Sequence, residues 1–354
     1  MRLDQLVPAF HQGDAIGDSA LHMRDVFRSH GFEADIYCLD HDKELAGEAR
    51  LFSSFPPPEP KDATLLHYAL PSPLSQALTR LKSRKILIHH NITPSQFFGP
   101  YSAEMARIAH IGRLELASLM PFIDLGLADS EYNRRELAEL GCRRAEVLPL
   151  FVDFRKYEKP HSVFIHDLYR DDRTNILFVG RIAPNKKIED LIRLTFYYKK
   201  YISPLVRLIV VGKTQSLPAY FESCVRMADE FYLKPEEIVF TGHIPDEEMS
   251  AFYRASDVFL SMSEHEGFCL PLIESMIFDL PVVAYDSTAV PFTLDGAGVL
   301  FKRKKIDRAA ELVDLVARDP ELREKILAGQ RARLERFRTA DRESVLLNFA
   351  VEGA

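Results

Sequence analysis

Residues 176–187 read ILFVGRIAPNKK: four apolar residues, Gly180, then Arg181, with Lys186 and Lys187 five and six positions further on. A short apolar run without polar alternation is the mark of a strand buried on both faces, as in a parallel sheet covered by helices. Gly180 lets the chain turn sharply and bring backbone close to a ligand. Arg181 offers a forked guanidinium to phosphate oxygens and Lys186 a point charge. Taken alone, the same residues would also make a solvated turn with surface lysines.

The pattern repeats on both sides of this stretch. Further strands are predicted at 207–211, 238–241, 258–260, 282–284 and 299–301, with helices at 188–201, 220–231, 246–254 and 272–278 between them. Upstream, strands are predicted at 3–9, 34–39, 64–68, 85–89, 125–128 and 146–150. Helices are expected through Ala20, Met23 and Phe27, over 102–119, and over 132–140 after an Asp129-Ser130 cap. Strand–helix alternation implies parallel sheets with right-handed crossovers. The fold class is therefore α/β, with two Rossmann-like parallel-sheet domains and a cleft between them. The domains are 1–155 and 174–340, joined by a polar connection at 153–173, and consecutive helices close the chain over 309–351. A length of 354 residues suits two such domains.

Composition narrows the function. A formal net charge of −7 argues against a basic nucleic-acid face and weakens docking on an anionic bilayer. Cys38, Cys142, Cys224 and Cys269 are scattered without metal-ligand spacing, which suits a reducing cytosol. The N-terminus lacks the apolar run of a signal peptide, and no stretch approaches the length of a membrane span.

Three other stretches carry candidate chemistry. In SEHEGFCLPLIESM (263–276), Glu266 and Glu274 lie eight apart and Pro271 suits the first turn of a helix. Gly267, Phe268, Cys269 and Leu270 then precede the helix with N–H groups free to meet an anion or sugar hydroxyls. Two glutamates at this spacing are commonly solvated; their setting after DVFLSMS, between Gly and Pro, favours a site. FHQGDAIGDSALHMRDVFRSHG (10–31) has a strand–glycine loop–helix form through Gly13 and Gly17, but not the G-x-G-x-x-G of dinucleotide binding, and a tight turn explains it equally. In KILIHHNITPSQFF (85–98), His89 and His90 point to opposite faces of a strand end, so one faces the cleft unless both are structural. His11 is a further candidate. Asp40-His41-Asp42 has metal-carboxylate spacing but reads as a solvated loop, and neighbours such as Glu264, His265 and Glu266 cannot all point one way.

Together, G-R-x-x-P-x-K at Gly180–Lys186, T-G-H-I-P at 241–245 and E-x7-E at Glu266–Glu274 resemble the family 4 glycosyltransferases, retaining enzymes of the GT-B fold. The likeness is strongest over 174–301 and extends more weakly through HHNITP and ADSEYNRRELAELG. The resemblance implies a metal-independent transfer of a sugar from a UDP- or GDP-sugar to a hydroxyl acceptor, in polysaccharide or glycoconjugate synthesis, with no cofactor. Arg181 and Lys186 would hold the diphosphate beside Gly180. Glu266 would meet the sugar, and Gly267 with the N–H groups of Phe268, Cys269 and Leu270 would bind sugar or phosphate. Glu274 would hold the ribose, the backbone at Gly242 and Ile244 would flank the base, and Gly13 and Gly17 would form the glycine loop. His90 would lie near the sugar's hydroxyls, so His90, Glu266, Arg181 and Lys186 form the catalytic set. Helix 341–354 would return to the first domain. The expected setting is cytoplasmic, with a sugar, glycolipid or other hydroxyl acceptor, no nucleic acid, and at most peripheral contact at the inner membrane face. The rival readings are a GT-B epimerase or hydrolase, and a non-catalytic nucleotide-sugar-binding protein.

Overall fold

Strands without polar alternation must be covered on both faces, and the chain does this in two separate sheets. The computed structural model describes residues 1–11 and 13–351. They divide into unit 1, comprising Met1–Ser95, Glu104–Asp153 and the chain from Ala340 onward, and unit 2, comprising Gln96–Ala103 and Phe154–Thr339.

Unit 1 holds strands β1 (Leu3–Phe10), β2 (Ile36–His41), β3 (Arg50–Leu51), β4 (Ala63–Tyr68), β5 (Arg84–His89), β6 (Leu125–Ala128) and β7 (Ala145–Val147). Their order is β3-β2-β1-β4-β5-β6-β7, all parallel. The order reverses at β1, the switch point where ligands of such sheets gather beyond the strands' carboxyl ends. One face packs Leu3, Leu65, Ile86, Ile88, Leu125 and Leu127 against Met23 and Phe27 of helix Ala15–Ser29 and Leu346 and Ala350 of helix Arg342–Val351. Arg84 donates from Nη1 to the carbonyls of Phe349 (2.7 Å) and Ala350 (3.3 Å). A cation thus meets the carbonyl end of that last helix, where the helix dipole favours it.

Unit 2 holds β8 (Thr174–Val179), β9 (Val206–Val211), β10 (Ile238–Gly242), β11 (Val258–Ser261), β12 (Val282–Tyr285) and β13 (Val299–Phe301). The order is β10-β9-β8-β11-β12-β13, again all parallel, reversing at β8. Gly180, Gly212 and Gly242 stand at the carboxyl ends of β8, β9 and β10. Gly180 N–H donates to Val211 and Gly212 N–H to Gly242. A Cβ at Gly212 would lie 1.9 Å from the carbonyl oxygen of Gly180, and its φ of +154° lies where side chains rarely go.

The structure corrects the expected polar connection at 153–173. It carries a 3₁₀ turn, Phe154–Glu158, and a helix, Val163–Tyr169, both within unit 2. Aromatic anchors hold it there: the Tyr169 ring meets Phe252 edge-on at 4.9 Å and lies under Arg207. Gln96–Ala103 also belongs to unit 2, where Tyr101 packs on Tyr220 at 5.0 Å. The sequence reading missed β3, a two-residue strand, and helix Pro73–Arg80, because both are too short to show a period.

Candidate functional site

The carboxyl ends of β8 and β11 flank the unit 2 switch point, and the two loops that leave them are zipped together. Glu264 N–H donates to the Asn185 carbonyl (2.8 Å), and Asn185 Nδ2 donates to the His265 carbonyl (2.9 Å). Lys186 Nζ then lies 2.5 Å from Glu266 Oε2, with the two side chains 17% and 6% exposed. Glu266 is anchored from behind, its N–H donating to Thr288 Oγ1 (2.8 Å). Lys187, at φ +55°, turns the chain into helix Ile188–Tyr201 and pairs with Glu189 (2.9 Å). Lys304, after β13, bridges Asp190 and Glu264 at 2.9 Å each. Arg181 is exposed and has no side-chain ion pair or hydrogen bond among the described residues. A free guanidinium therefore follows the glycine turn, in the same loop as the lysine of a neutralised Lys–Glu pair.

Helix Leu270–Ile277 starts where Pro271 predicts, with Cys269 at its N-cap in the left-handed region, φ +70° and ψ +67°. Among the described residues, the N–H groups of Gly267, Phe268, Cys269 and Leu270 have no hydrogen bond outside the helix itself. Burial pushes the Cys269 thiol well above its ordinary range, and the Glu266 carboxylate adds to the effect. Thr293 Oγ1 donates to the Phe268 carbonyl and holds this turn.

Glu274, one turn inside the helix and 5% exposed, accepts from Tyr157 Oη and Tyr253 Oη at 2.7 Å each. Each carboxylate oxygen keeps a lone pair for a further donor, so a diol can still be bound. Burial and the adjacent Glu274 carboxylate raise the Tyr253 hydroxyl well above its usual range. Gly242, at φ +73°, opens the turn that carries half-buried Ile244 into helix Asp246–Ala255.

The remaining candidates lie in unit 1. Gly13, at φ +73°, turns β1 into helix Ala15–Ser29, which Asp14 caps by accepting from Ile16 N–H. Gly17 is buried in the first turn, where a Cβ would touch the Phe10 ring at 3.4 Å. His11 pairs with Asp42 at 2.9 Å, so the second aspartate of Asp40-His41-Asp42 has an imidazole partner. His89 contacts Glu136 at 2.8 Å, and Arg113 also pairs with that carboxylate. His90 points the other way, with Nδ1 2.9 Å from Asp129 Oδ2 and Nε2 2.9 Å from His67 Nδ1. Both of its ring nitrogens are therefore engaged within unit 1.

Sequence reasoning missed Tyr157, Tyr253, His67 and Gly212. Tyr157 lies 117 residues from Glu274 and His67 lies 23 from His90. A buried hydrogen-bonded pair leaves no spacing signal. Gly212 had one, VVG at a strand end parallel to FVG at 178–180, and an internal comparison of the two would have found it.

Residues 165–333 match the family model for glycosyl transferases group 1. The chain is 28% identical over 238 residues to a GDP-mannose-dependent alpha-mannosyltransferase of Mycobacterium tuberculosis (strain CDC 1551 / Oshkosh), covering 64% of this chain and 56% of that protein. It is 24% identical over 178 residues to the serotype-specific mannosyltransferase WbdA of Escherichia coli, covering 50% of this chain and 21% of that protein. These matches span less than two thirds of either relative's own length. Among solved structures, Anabaena Alr3699/HepE in complex with UDP-glucose superimposes with a TM-score of 0.74 at 15% identity, covering 99% of both chains. WaaG, a glycosyltransferase involved in lipopolysaccharide biosynthesis, superimposes with a TM-score of 0.70 at 13% identity, covering 99% of this chain and 100% of that one.

Proposed function

Through residues 165–333 this chain belongs to the group 1 glycosyl transferases, and from that premise we propose that it is a retaining, metal-independent transferase of a sugar from a nucleotide sugar to a hydroxyl acceptor. The observation that carries the reading is the Lys186–Glu266 pair at the unit 2 switch point, with unpaired Arg181 in the same loop after β8. An arriving diphosphate draws Lys186 away from Glu266. One event then delivers a cation to the phosphate and frees a carboxylate to accept from a sugar hydroxyl. Breaking the anomeric C–O bond moves its electron pair onto the diphosphate, and Arg181, Lys186 and the open N–H groups at Gly267–Leu270 stabilise that charge. Arg181 and Lys186 would supply there what a divalent ion supplies elsewhere, which supports metal independence. Retention follows if the acceptor attacks the face the diphosphate leaves, passing its proton to the leaving phosphate oxygen.

The relatives make GDP-mannose the first donor to test and UDP-glucose the second. The setting we propose is the cytoplasm, in glycoconjugate or polysaccharide synthesis. No helix among the described residues is long and apolar enough to cross a membrane. The test is thermal unfolding with each sugar nucleotide, since a ligand at about 100 times its Kd stabilises by about 2.7 kcal/mol. No stabilisation by any nucleotide sugar, or the same stabilisation in an Arg181→Ala/Lys186→Ala double variant, would sink the assignment. The product's anomeric configuration, read by NMR, and turnover in EDTA test retention and metal independence.

A further inference from the structure

A line of buried polar side chains crosses four neighbouring strands of unit 1. Gln5 comes from β1, His67 from β4, His90 from just beyond β5 and Asp129 from just beyond β6. Gln5, His67 and Asp129 are 0%, 1% and 4% exposed. The contacts run Gln5 Oε1 to His67 Nε2 (2.8 Å), His67 Nδ1 to His90 Nε2 (2.9 Å) and His90 Nδ1 to Asp129 Oδ2 (2.9 Å). The two imidazole planes lie 10° apart with centroids 5.2 Å apart. That separation is one hydrogen bond plus a ring radius from each side, so the rings meet edge to edge in a common plane.

The protons in this line can be counted. Gln5 Nε2 donates to the Ala20 carbonyl at 2.9 Å, which fixes the amide and leaves Oε1, an acceptor, facing His67. His67 Nε2 therefore carries a proton. Burial pushes His67 well below the usual histidine range, and the neighbouring His90 adds to the effect. A neutral His67 leaves Nδ1 bare, so His90 Nε2 must donate to it. The contact from His90 Nδ1 to Asp129 then requires a second proton. A histidine facing a carboxylate ordinarily needs only one, on the nitrogen between them. The other titratable groups at this strand end, His89, Glu136 and Arg113, bond among themselves and offer His90 no alternative acceptor.

We propose that His67 is a positioning residue that acts through His90, holding the His90–Asp129 pair in its doubly protonated form with net charge zero rather than minus one. The consequence rests on the reading of His90 as a residue near the donor's sugar: a pair without net charge does not repel a diphosphate.

The test is histidine ¹⁵N NMR on the full chain, with His67 and His90 assigned from the His67→Gln and His90→Gln variants. Between about pH 6 and pH 8, His67 is expected as the Nε2–H tautomer with a bare Nδ1, and His90 with a protonated Nε2. A bare Nε2 on His90, or a protonated Nδ1 on His67, overturns the proposal. His67→Met removes the acceptor and should strip the proton from His90 Nε2 at the upper end of this range. His67→Gln, whose amide oxygen can accept, should restore it. A His90 signal identical in wild type and His67→Met also overturns the proposal. If the Met variant does not fold, the wild-type and Gln spectra still decide. Adding GDP-mannose is a separate arm: an unmoved His90 signal would count against the donor reading of His90 and leave the tautomer assignment standing.

Discussion

At Asp4, desolvation by burial outweighs the help from the Asp35 N–H and Arg2, and raises the carboxyl from 3.8 to about 6. Its Oδ2 has no hydrogen-bond partner among the described residues. An acid whose folded pKa is raised binds its proton more tightly when folded. Stability is therefore lost as pH rises from 3.8 to about 6, and the penalty then stays constant, at about 3 kcal/mol for a shift of roughly two units. Asp4→Asn should raise the urea midpoint at about pH 7.5, with a smaller gain at about pH 5. An equal loss at both would show that the carboxylate is needed. At the candidate site, Arg181→Ala and Lys186→Ala each remove charge that matters most in the transition state, and each should lower kcat by ~10²–10³. Asp42→Ala, which loses an exposed contact with His11, should leave kcat near wild type; the opposite ranking would move the donor site to unit 1. Tyr253→Phe leaves one oxygen of buried Glu274 short of a donor, so we expect a loss of about 1–3 kcal/mol in denaturant unfolding together with a raised donor KM. Unchanged stability would mean that the phenol bond is not formed in solution.

Among the elements, the carboxyl edge of the unit 2 sheet is the least tolerant. Three neighbouring parallel strands end in Gly180, Gly212 and Gly242, and the Gly212 backbone passes so close to Gly180 that a methyl group would overlap its carbonyl. Relief requires shifting two strand ends, because the obstacle is backbone. Gly212→Ala should cost more than about 3 kcal/mol, beyond the ordinary range for point substitutions. Gly329→Ala is the control: it lies in helix Pro320–Thr339 with nothing within 4 Å of a new Cβ, and should stabilise by up to about 1 kcal/mol. Denaturant unfolding of the two variants checks both signs, and a mild Gly212→Ala would show that the loop has slack.

For the whole molecule, the chain passes between the units four times, after Ser95, Ala103, Asp153 and Thr339. Neither unit is a single continuous segment. The last helix supplies Leu346 and Ala350 to the unit 1 core and is tied to β5 through Arg84. Truncation after Thr339 should therefore lower the melting temperature of unit 1 in calorimetry and leave the unit 2 transition near its original place. A truncation that shifts only unit 2 would contradict the assignment of this helix.

The order and type of the elements are written in the local sequence. Apolar runs closed by glycine, with helical periods between them, specify buried parallel strands and crossover helices locally, since each strand's pattern reflects its own burial. It also marked the stretch around Gly180–Lys186 and the start of helix Leu270–Ile277, because a glycine turn and a proline at a first helical turn are short-range requirements. The partnerships come from the fold: Lys186 with Glu266, 80 residues apart; Tyr157 and Tyr253 with Glu274; and His90 with His67 and Asp129. The polar stretch at 153–173, read as a linker, likewise became part of unit 2 through aromatic anchors remote in sequence. The physical reason is the same for each. A buried polar or aromatic group is satisfied by whatever the fold brings beside it, and that neighbour is set by strand order and register, which no local pattern encodes.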